Sequence, residues 1–126
     1  MEKIIKGIWK NEYGSIMEIT NVQVGIFEGT YSSHTGDTGT YKVVGVYNDK
    51  NTDESKITVS FAISWQDVTN NSESSYSFAT SGMSGQIQID KGSWILPVIH
   101  ILTTPNPPGD RWKNSLIDKL IFVKQS

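Results

Sequence analysis

Apolar and polar residues alternate with a period of two along almost the whole chain, and this pattern limits the possible folds more than any other feature. Successive side chains of a β-strand point to opposite faces of a sheet, so the alternation indicates half-buried strands. No window of about 11 residues or more holds the apolar stripe of an amphipathic helix. The pattern therefore predicts an all-β protein without crossover helices.

Turns rich in Gly, Asn, Asp and Pro divide the alternating pattern into eight predicted strands. They cover residues 4–11, 15–19, 22–31, 40–47, 56–65, 76–89, 93–102 and 116–123. Short connections favour antiparallel pairing of consecutive strands, which then close into a barrel or divide into a sandwich. Because the Cys…Trp…Cys core of immunoglobulin-type sandwiches is absent, we predict an eight-stranded antiparallel up-and-down β-barrel, which is wide enough for one small ligand.

The composition fits one domain over residues 1–126 and excludes several classes of function. The chain is 37% hydrophobic and 19% charged, with a net charge of −2 and no cluster of Lys or Arg. Nucleic acids and membranes are therefore not expected as partners. The absence of cysteine excludes disulfides, thiol nucleophiles and Cys-type zinc sites.

Neither a membrane span nor a secretion signal is expected. The longest apolar run, residues 94–99, is far shorter than the roughly 20 residues that cross a bilayer. The amino terminus lacks the apolar block of a signal peptide. We expect either a cytoplasmic protein or the mature form of a secreted one.

Tryptophans on or beside different predicted strands are candidate apolar walls of a ligand site. They are Trp9, Trp65, Trp94 and Trp112. Trp9 follows a glycine, Gly7, on the first strand and is interpreted as core. The rings from separate strands can enclose a ligand with flat surfaces. The alternative, that all of these rings simply fill the barrel, stays open at this point.

Small polar side chains occur near the same predicted strand ends: Asn11, Ser15, Tyr31, Ser33 and Ser81. Asn11 and Ser15 flank a tight turn between the first two strands, and Tyr31 ends the third. Hydrogen-bond donors that converge in this way can stabilise the partial negative charge of a carbonyl oxygen. Turn capping and solvation are the alternative interpretation of each residue taken alone.

The two histidines give little support to catalysis or metal binding. His34 lies in a polar loop, residues 32–39, that we interpret as a lid over one end of the barrel, and His100 lies near the end of the seventh strand. Neither has a carboxylate and a hydroxyl nearby in an arrangement that suggests catalysis, so both are interpreted as structural or solvated. We expect no enzyme, no catalytic residue, no cofactor and no metal site, with a hydrolase as the weaker alternative.

Several segments of the chain resemble, in the same order, segments of avidin and streptavidin. Residues 7–15, GIWKNEYGS, are similar to the opening G-x-W-x-N-x-x-G-S of that family. Further similarities occur at residues 29–33, 61–65, 84–86, 94–96 and 112–116. The resemblance covers nearly the whole chain. It implies an eight-stranded barrel that binds biotin at its open end and forms oligomers, commonly tetramers.

The resemblance also implies roles for individual residues. Asn11, Ser15 and Tyr31 match the groups that hold the ureido oxygen of biotin. Ser33 matches the hydroxyl that accepts a ureido N–H, and Ser81 matches the hydroxyl near the ring sulfur. The apolar matches, of which the last is contributed by a neighbouring subunit, are Trp65, Trp94, Leu96 and Trp112.

A few positions depart from the family pattern. Leu120 stands where the family has an Asp or Asn that accepts the second ureido N–H, and Asp118, on the same face, substitutes only with a shifted register. Met83 replaces a tryptophan wall. At the carboxylate end of the ligand, Ala79 replaces a serine, and Asp37 in the lid replaces an asparagine.

From these residues we predict a non-catalytic protein that binds biotin, a biotin-like cyclic urea or a biotin conjugate more weakly than streptavidin does. The combination of Ala79 and Asp37 favours an amide or ester of biotin over the free carboxylate. Two alternatives stay open. The first is a different small apolar ligand, which Leu120 favours, and the second is an oligomeric structural protein with a vestigial pocket. We expect a homodimer or a homotetramer.

Overall fold

Eight antiparallel strands pair in chain order and close into a barrel in the computed structural model, which describes residues 1–33, 39–50, 53–66, 78–105 and 114–125. The strands are β1 (Gly7–Asn11), β2 (Ile16–Gln23), β3 (Ile26–Ser32), β4 (Thr40–Tyr47), β5 (Ile57–Ser64), β6 (Thr80–Asp90), β7 (Ser93–Thr103) and β8 (Ser115–Lys124). One helical turn, α1 (Glu2–Ile5), precedes β1, and a 3-10 turn, Glu54–Lys56, precedes β5. The predicted all-β up-and-down barrel is confirmed.

The barrel interior is filled by alternate residues of each strand. In β5 the residues at every second position from Ile57 to Ile63 are buried, and those between them are exposed. The ring of Phe61 meets the rings of Phe27 and Phe122 edge to face, with centroids 6.1 and 6.3 Å away. Burial of such large apolar side chains supplies much of the favourable free energy of folding. The period of two in the sequence is therefore the period of the core.

The closed end of the barrel is the end where β1 begins and α1 packs against the core. Ile4 and Ile5 are both buried, and the carbonyl of Ile5 accepts a hydrogen bond of 2.9 Å from Nε1 of Trp9. The ammonium of Lys124 donates to the carbonyls of Lys3 and Ile4 at 2.7 Å each. This arrangement corrects the predicted first strand, which began at residue 4. A strand sends consecutive side chains to opposite faces, whereas the helical turn buries both isoleucines.

The turn between β2 and β3 lies later than predicted. The predicted second strand ends at residue 19, but β2 continues to Gln23 with a register shift between Ile19 and Asn21. The chain turns at Gly25, whose φ is 79°. The bulge explains the error, because it accommodates Asn21 without ending the strand. The amide of Asn21 donates to Glu28 on β3 at 3.2 Å.

The other predicted strands agree more closely with the structure. The bounds of β4, β5, β7 and β8 differ from the predicted ones by at most one residue at each end. The sixth strand begins at Thr80, and residues 76 and 77 of the predicted strand lie outside the described part of the chain. The open end of the barrel is the end where β1 finishes at Asn11 and β6 begins at Thr80.

Replacement of Gly45 by alanine is expected to destabilise the barrel. Gly45 of β4 lies opposite Phe27 of β3, and the Phe27 ring occupies the space that a Cβ on this glycine needs. Because Phe27 is buried, we expect Gly45→Ala to lower the free energy of unfolding in urea by about 1–3 kcal/mol. Gly82→Ala is the matched control, because a Cβ there meets no atom within 4 Å. Equal losses in the two variants would contradict this explanation.

Candidate functional site

Buried polar side chains gather at the open end of the barrel. In the described part of the chain they are Asn11, Ser15, Ser33 and Ser81, each at most 8% exposed. Asn11 ends β1, Ser15 precedes β2, Ser33 follows β3 and Ser81 is the second residue of β6. Burying a polar group costs free energy unless it is hydrogen bonded. A set of such groups at one end of an apolar interior therefore marks the candidate site.

Asn11 connects the β1–β2 turn to the interior of the barrel. Its Oδ1 accepts hydrogen bonds from the backbone N–H groups of Tyr13 and Ser15, at 3.0 and 3.1 Å. These bonds fix the orientation of the amide, and its Nδ2 donates to the hydroxyl of Tyr31 at 3.1 Å. The structure thus brings together the three residues Asn11, Ser15 and Tyr31, as the sequence predicted.

The phenol of Tyr31 is held in its protonated form. Burial raises the pKa of Tyr31, an effect that hydrogen bonds with Ser15 and Asn11 oppose and the charge of Glu12 reinforces. The hydroxyl is therefore available as a hydrogen-bond donor at neutral pH. The Tyr31 hydroxyl is thus a buried hydrogen-bond donor, and a hydrogen bond is electrostatically stronger in such an environment than in water.

Trp65 forms an aromatic wall directly after β5. Its half-buried ring packs edge to face against Tyr41 and Tyr31, with centroids 4.8 and 5.5 Å away. Its backbone N–H donates to the carbonyl of Ala79 at 3.1 Å. Two tyrosine rings and a backbone hydrogen bond thus hold the indole in place.

A hydrogen-bonded chain links Trp65 to Ser81 and His100. Nε1 of Trp65 donates to Oγ of Ser81 at 2.8 Å, and this oxygen lies 2.7 Å from Nε2 of His100. The cross-strand partners of His100 are Met83 on β6 and Asp118 on β8. Burial lowers the pKa of His100, and the Asp118 carboxylate opposes this shift. The imidazole is therefore mainly neutral at pH 7.

Comparison with known proteins identifies the family. The model of the family described as "Avidin family" matches residues 2–125. The chain belongs to the avidin family. The family consists of non-enzymatic binding proteins, and this membership confirms the prediction that the chain is not an enzyme.

The fold of this avidin-family chain also matches a solved structure. The X-ray structure of a biotin binding protein from chicken has a TM-score of 0.79 and 23% sequence identity, and the match covers 97% of this chain and 96% of that chain. At this identity the likeness shows a shared fold. No curated protein sequence matches the chain.

His100 is the residue of this avidin-family site that sequence reasoning missed. His100, interpreted from the sequence as structural or solvated, is half-buried and makes a short contact with Ser81. The signal was present in the alternation of β7, since Leu96, Val98 and His100 share one parity and the first two are buried. Because Thr103 ends β7 at the open end, an inward-facing residue three positions earlier lies close to the site.

Trp94 does not lie with the other site residues, which corrects its predicted role. It is the second residue of β7, pairs with Ile89 of β6, and lies at the closed end. There it lines a cavity of ≈ 330 Å³ together with Glu54, Ser55, Gln88 and Ile89. Leu96 is buried in the core and pairs with Phe122. The similarity of residues 94–96 to a family motif did not predict their positions correctly, because the motif does not fix which residues of β7 lie near the open end.

The departures at Leu120, Met83 and Ala79 concern buried positions. Their side chains are 6%, 2% and 1% exposed, respectively. Leu120 of β8 is the cross-strand partner of Val98 on β7, so both strands place an apolar side chain in the interior at this point. Asp118 is exposed near the open end of β8, and its Oδ1 accepts from the backbone N–H of Lys119 at 2.7 Å. Asp118 therefore does not take the interior position of Leu120.

Some predicted features lie outside the described residues. These are Asp37 and His34 in the predicted lid, and Trp112 in the proline-rich connection after β7. Among the residues that the structure describes, no group of three or more His, Cys, Asp or Glu side chains is arranged to hold a metal ion. Within the same ranges, no helix has the length and apolar character needed to cross a membrane.

Replacement of Asn11 by alanine is expected to cost stability as well as ligand-site geometry. The substitution leaves the backbone N–H groups of Tyr13 and Ser15 without their acceptor. The second of these bonds is buried, so we expect thermal unfolding to show a loss of about 1–3 kcal/mol. Asn21→Ala is the control, because that exposed side chain makes one surface hydrogen bond. A neutral effect of Asn11→Ala would show that the turn does not depend on the amide.

Proposed function

We propose that this chain binds biotin, or a biotin-like cyclic urea, at the open end of its barrel and does not convert it. The observation that supports the proposal is the set of buried polar side chains around Tyr31 at that end of an avidin-family barrel. A ureido group presents one carbonyl oxygen and two N–H groups within a few ångströms, so it needs donors and acceptors side by side. The chicken protein with the same fold is a biotin binding protein.

The proposed contacts begin with the ureido oxygen. Asn11, Ser15 and Tyr31 surround it, and their hydrogen bonds with one another already hold them in position. Such a preformed set of dipoles needs little reorganisation when the ligand enters, so less binding free energy is lost to ordering. Ser33, buried after β3, is the proposed acceptor of one ureido N–H.

Apolar side chains enclose the remainder of the ligand. Trp65 supplies a rigid wall, because Tyr31 and Tyr41 support its ring. Met83 supplies a flexible, polarisable surface in place of a second tryptophan. Trp112, contributed by a neighbouring subunit, completes the proposed pocket.

The outer face of β7 and β8 supports the proposal that the chain forms a homodimer or a homotetramer. Ile101 and Ile117 lie directly opposite each other on these strands and are 44% and 75% exposed. Ile99 and Ile121 extend the apolar surface along the same face. Lys119, the cross-strand partner of Ile99, interrupts this surface. Exposed apolar side chains grouped in this way are typical of an interface between subunits.

Calorimetric titration of the purified chain with biotin tests the proposed function. We expect saturable binding of about one biotin per chain with a rise in thermal stability, and light scattering of the same sample is expected to give an oligomer. Biotin amide is expected to bind more tightly than free biotin. The reason is that Ala79 offers the carboxylate no hydroxyl and Asp37 adds negative charge.

Each result of this titration has a distinct meaning. If biotin gives neither heat nor thermal stabilisation, the proposed function is wrong. Stabilisation by a different small apolar molecule would then favour the second candidate function, which Leu120 supports. Equal or tighter binding of free biotin than of its amide would contradict the preference for a conjugate alone.

Replacement of Leu120 by asparagine is expected to strengthen biotin binding. Leu120 offers no acceptor to the second ureido N–H, and an unpaired buried donor costs about 1–3 kcal/mol. Leu120→Asn supplies that acceptor without a charge, so we expect the dissociation constant to fall by roughly tenfold or more. Leu120→Ala is the matched control, since it removes bulk and adds no acceptor. An equal gain in both variants would show that side-chain size, rather than the missing acceptor, limits the affinity.

A further inference from the structure

Ser81 is hydrogen bonded to both Trp65 and His100, and the direction of the bond with His100 depends on the protonation of the imidazole. Oγ of Ser81 lies 2.8 Å from Nε1 of Trp65 and 2.7 Å from Nε2 of His100. The indole N–H can only donate, so it always occupies one lone pair of the serine oxygen. Ser81 is left with one O–H and one lone pair to divide between the imidazole and a ligand. Because Ser81 is 2% exposed, solvent offers few alternatives.

Whether Nε2 of His100 carries a proton determines which group Ser81 offers to the ligand, its O–H or its lone pair. When Nε2 is bare, it accepts the serine O–H, and Ser81 offers only a lone pair to the ligand. When Nε2 carries a proton, it donates to Ser81, and the serine O–H is free to donate to a ligand. Neutral imidazole adopts either arrangement by changing its tautomer, whereas imidazolium permits only the second.

We propose that His100 makes the ligand preference of this pocket depend on pH, by setting whether Ser81 donates a hydrogen bond to the ligand. At acid pH the pocket prefers cyclic ureas that carry an acceptor beside the Ser81 hydroxyl, such as a ring sulfur or the oxygen of its sulfoxide. The inference rests on the proposed function, because it concerns the same pocket. His100 acts through Ser81 and is therefore a positioning residue.

The groups around His100 set the pH at which the preference changes. Met83 on β6 and Trp65 after β5 carry no charge, and Asp118 on β8 is the charged cross-strand partner. Burial lowers the pKa of His100 from its ordinary value of 6.5, and Asp118 opposes this shift. Lys119 is the next residue after Asp118, and its side chain lies on the outer face of β8. Protonation of His100, and with it the change of preference, is therefore expected on the acid side of pH 6.5.

The test compares biotin, biotin sulfoxide and desthiobiotin, which lacks the sulfur. Their dissociation constants are measured on the full chain from about pH 8 to about pH 5. The three ligands share a carboxylate tail, so effects on that tail cancel in the ratio of the desthiobiotin constant to the biotin sulfoxide constant. We expect this ratio to rise by roughly two- to tenfold as the pH falls, which corresponds to one hydrogen bond.

Variants separate His100 from other titrating groups. His100→Gln keeps a hydrogen-bonding side chain that does not titrate, and His100→Phe keeps an aromatic ring; both are expected to give a ratio independent of pH. Asp118→Asn removes the carboxylate that raises the pKa of His100, so the midpoint moves to lower pH. Lys119→Gln is the matched control and is expected to leave the wild-type profile unchanged. His34→Gln tests whether the other histidine of the chain causes the change with pH. Circular dichroism verifies that each variant is folded.

The outcomes distinguish this inference from the proposed function. If biotin binds but the ratio does not change with pH, the inference is overturned and the proposed function stands. The same conclusion follows if the ratio changes equally in His100→Gln, or if His34→Gln abolishes the change. If none of the three ligands binds at any pH, the proposed function fails and the inference fails with it.

Discussion

Closure of the sheet between β1 and β8 is the constraint on which the rest of the structure depends. The pairing is short, and its register joins Trp9 to Lys124, Lys10 to Val123 and Asn11 to Phe122. Without it, the side chains that fill the barrel would lie on one face of an open sheet with two unpaired edges. The bonds from Lys124 to the carbonyls of α1 extend this contact at the closed end. At the other end, the same pairing brings Asn11 to the mouth of the barrel.

The interior combines an apolar core with a polar open end, and hydrogen bonds make the combination stable. Asn11 is hydrogen bonded to the turn backbone and to Tyr31, and Ser81 is hydrogen bonded to Trp65 and His100, so the burial of these groups carries a reduced free-energy cost. Asn11 shows how closely stability and binding geometry are linked. The oxygen of its amide fixes the β1–β2 turn, and the nitrogen of the same amide is thereby directed to Tyr31. A pocket held in this way can bind a rigid ligand with little loss of conformational freedom.

The polar lining of the pocket is concentrated away from β8. At the level of Leu120 and Val98 the interior is apolar on both β7 and β8. Two positions further along β7, His100 reaches across to Ser81 on β6 and adds a titratable group to the lining. The sequence resemblance implied an Asp or Asn acceptor on β8, and Leu120 stands at that position. The hydrogen-bonding capacity of this side of the pocket therefore depends on β6 and β7.

The fold class, the number and order of the strands, and the polar turn from Asn11 to Ser15 could all be predicted from the amino-acid sequence. These features are local: the period of two and the turn residues are contained in short segments, and short connections leave antiparallel pairing as the simplest arrangement. The position of Trp94 at the closed end and the contact between His100 and Ser81 at the open end became evident from the folded barrel. Both facts depend on strand direction, inward parity and cross-strand register, and register brings together residues far apart in the chain. No single segment contains that information, because closure of the barrel fixes the register of each strand relative to its two neighbours.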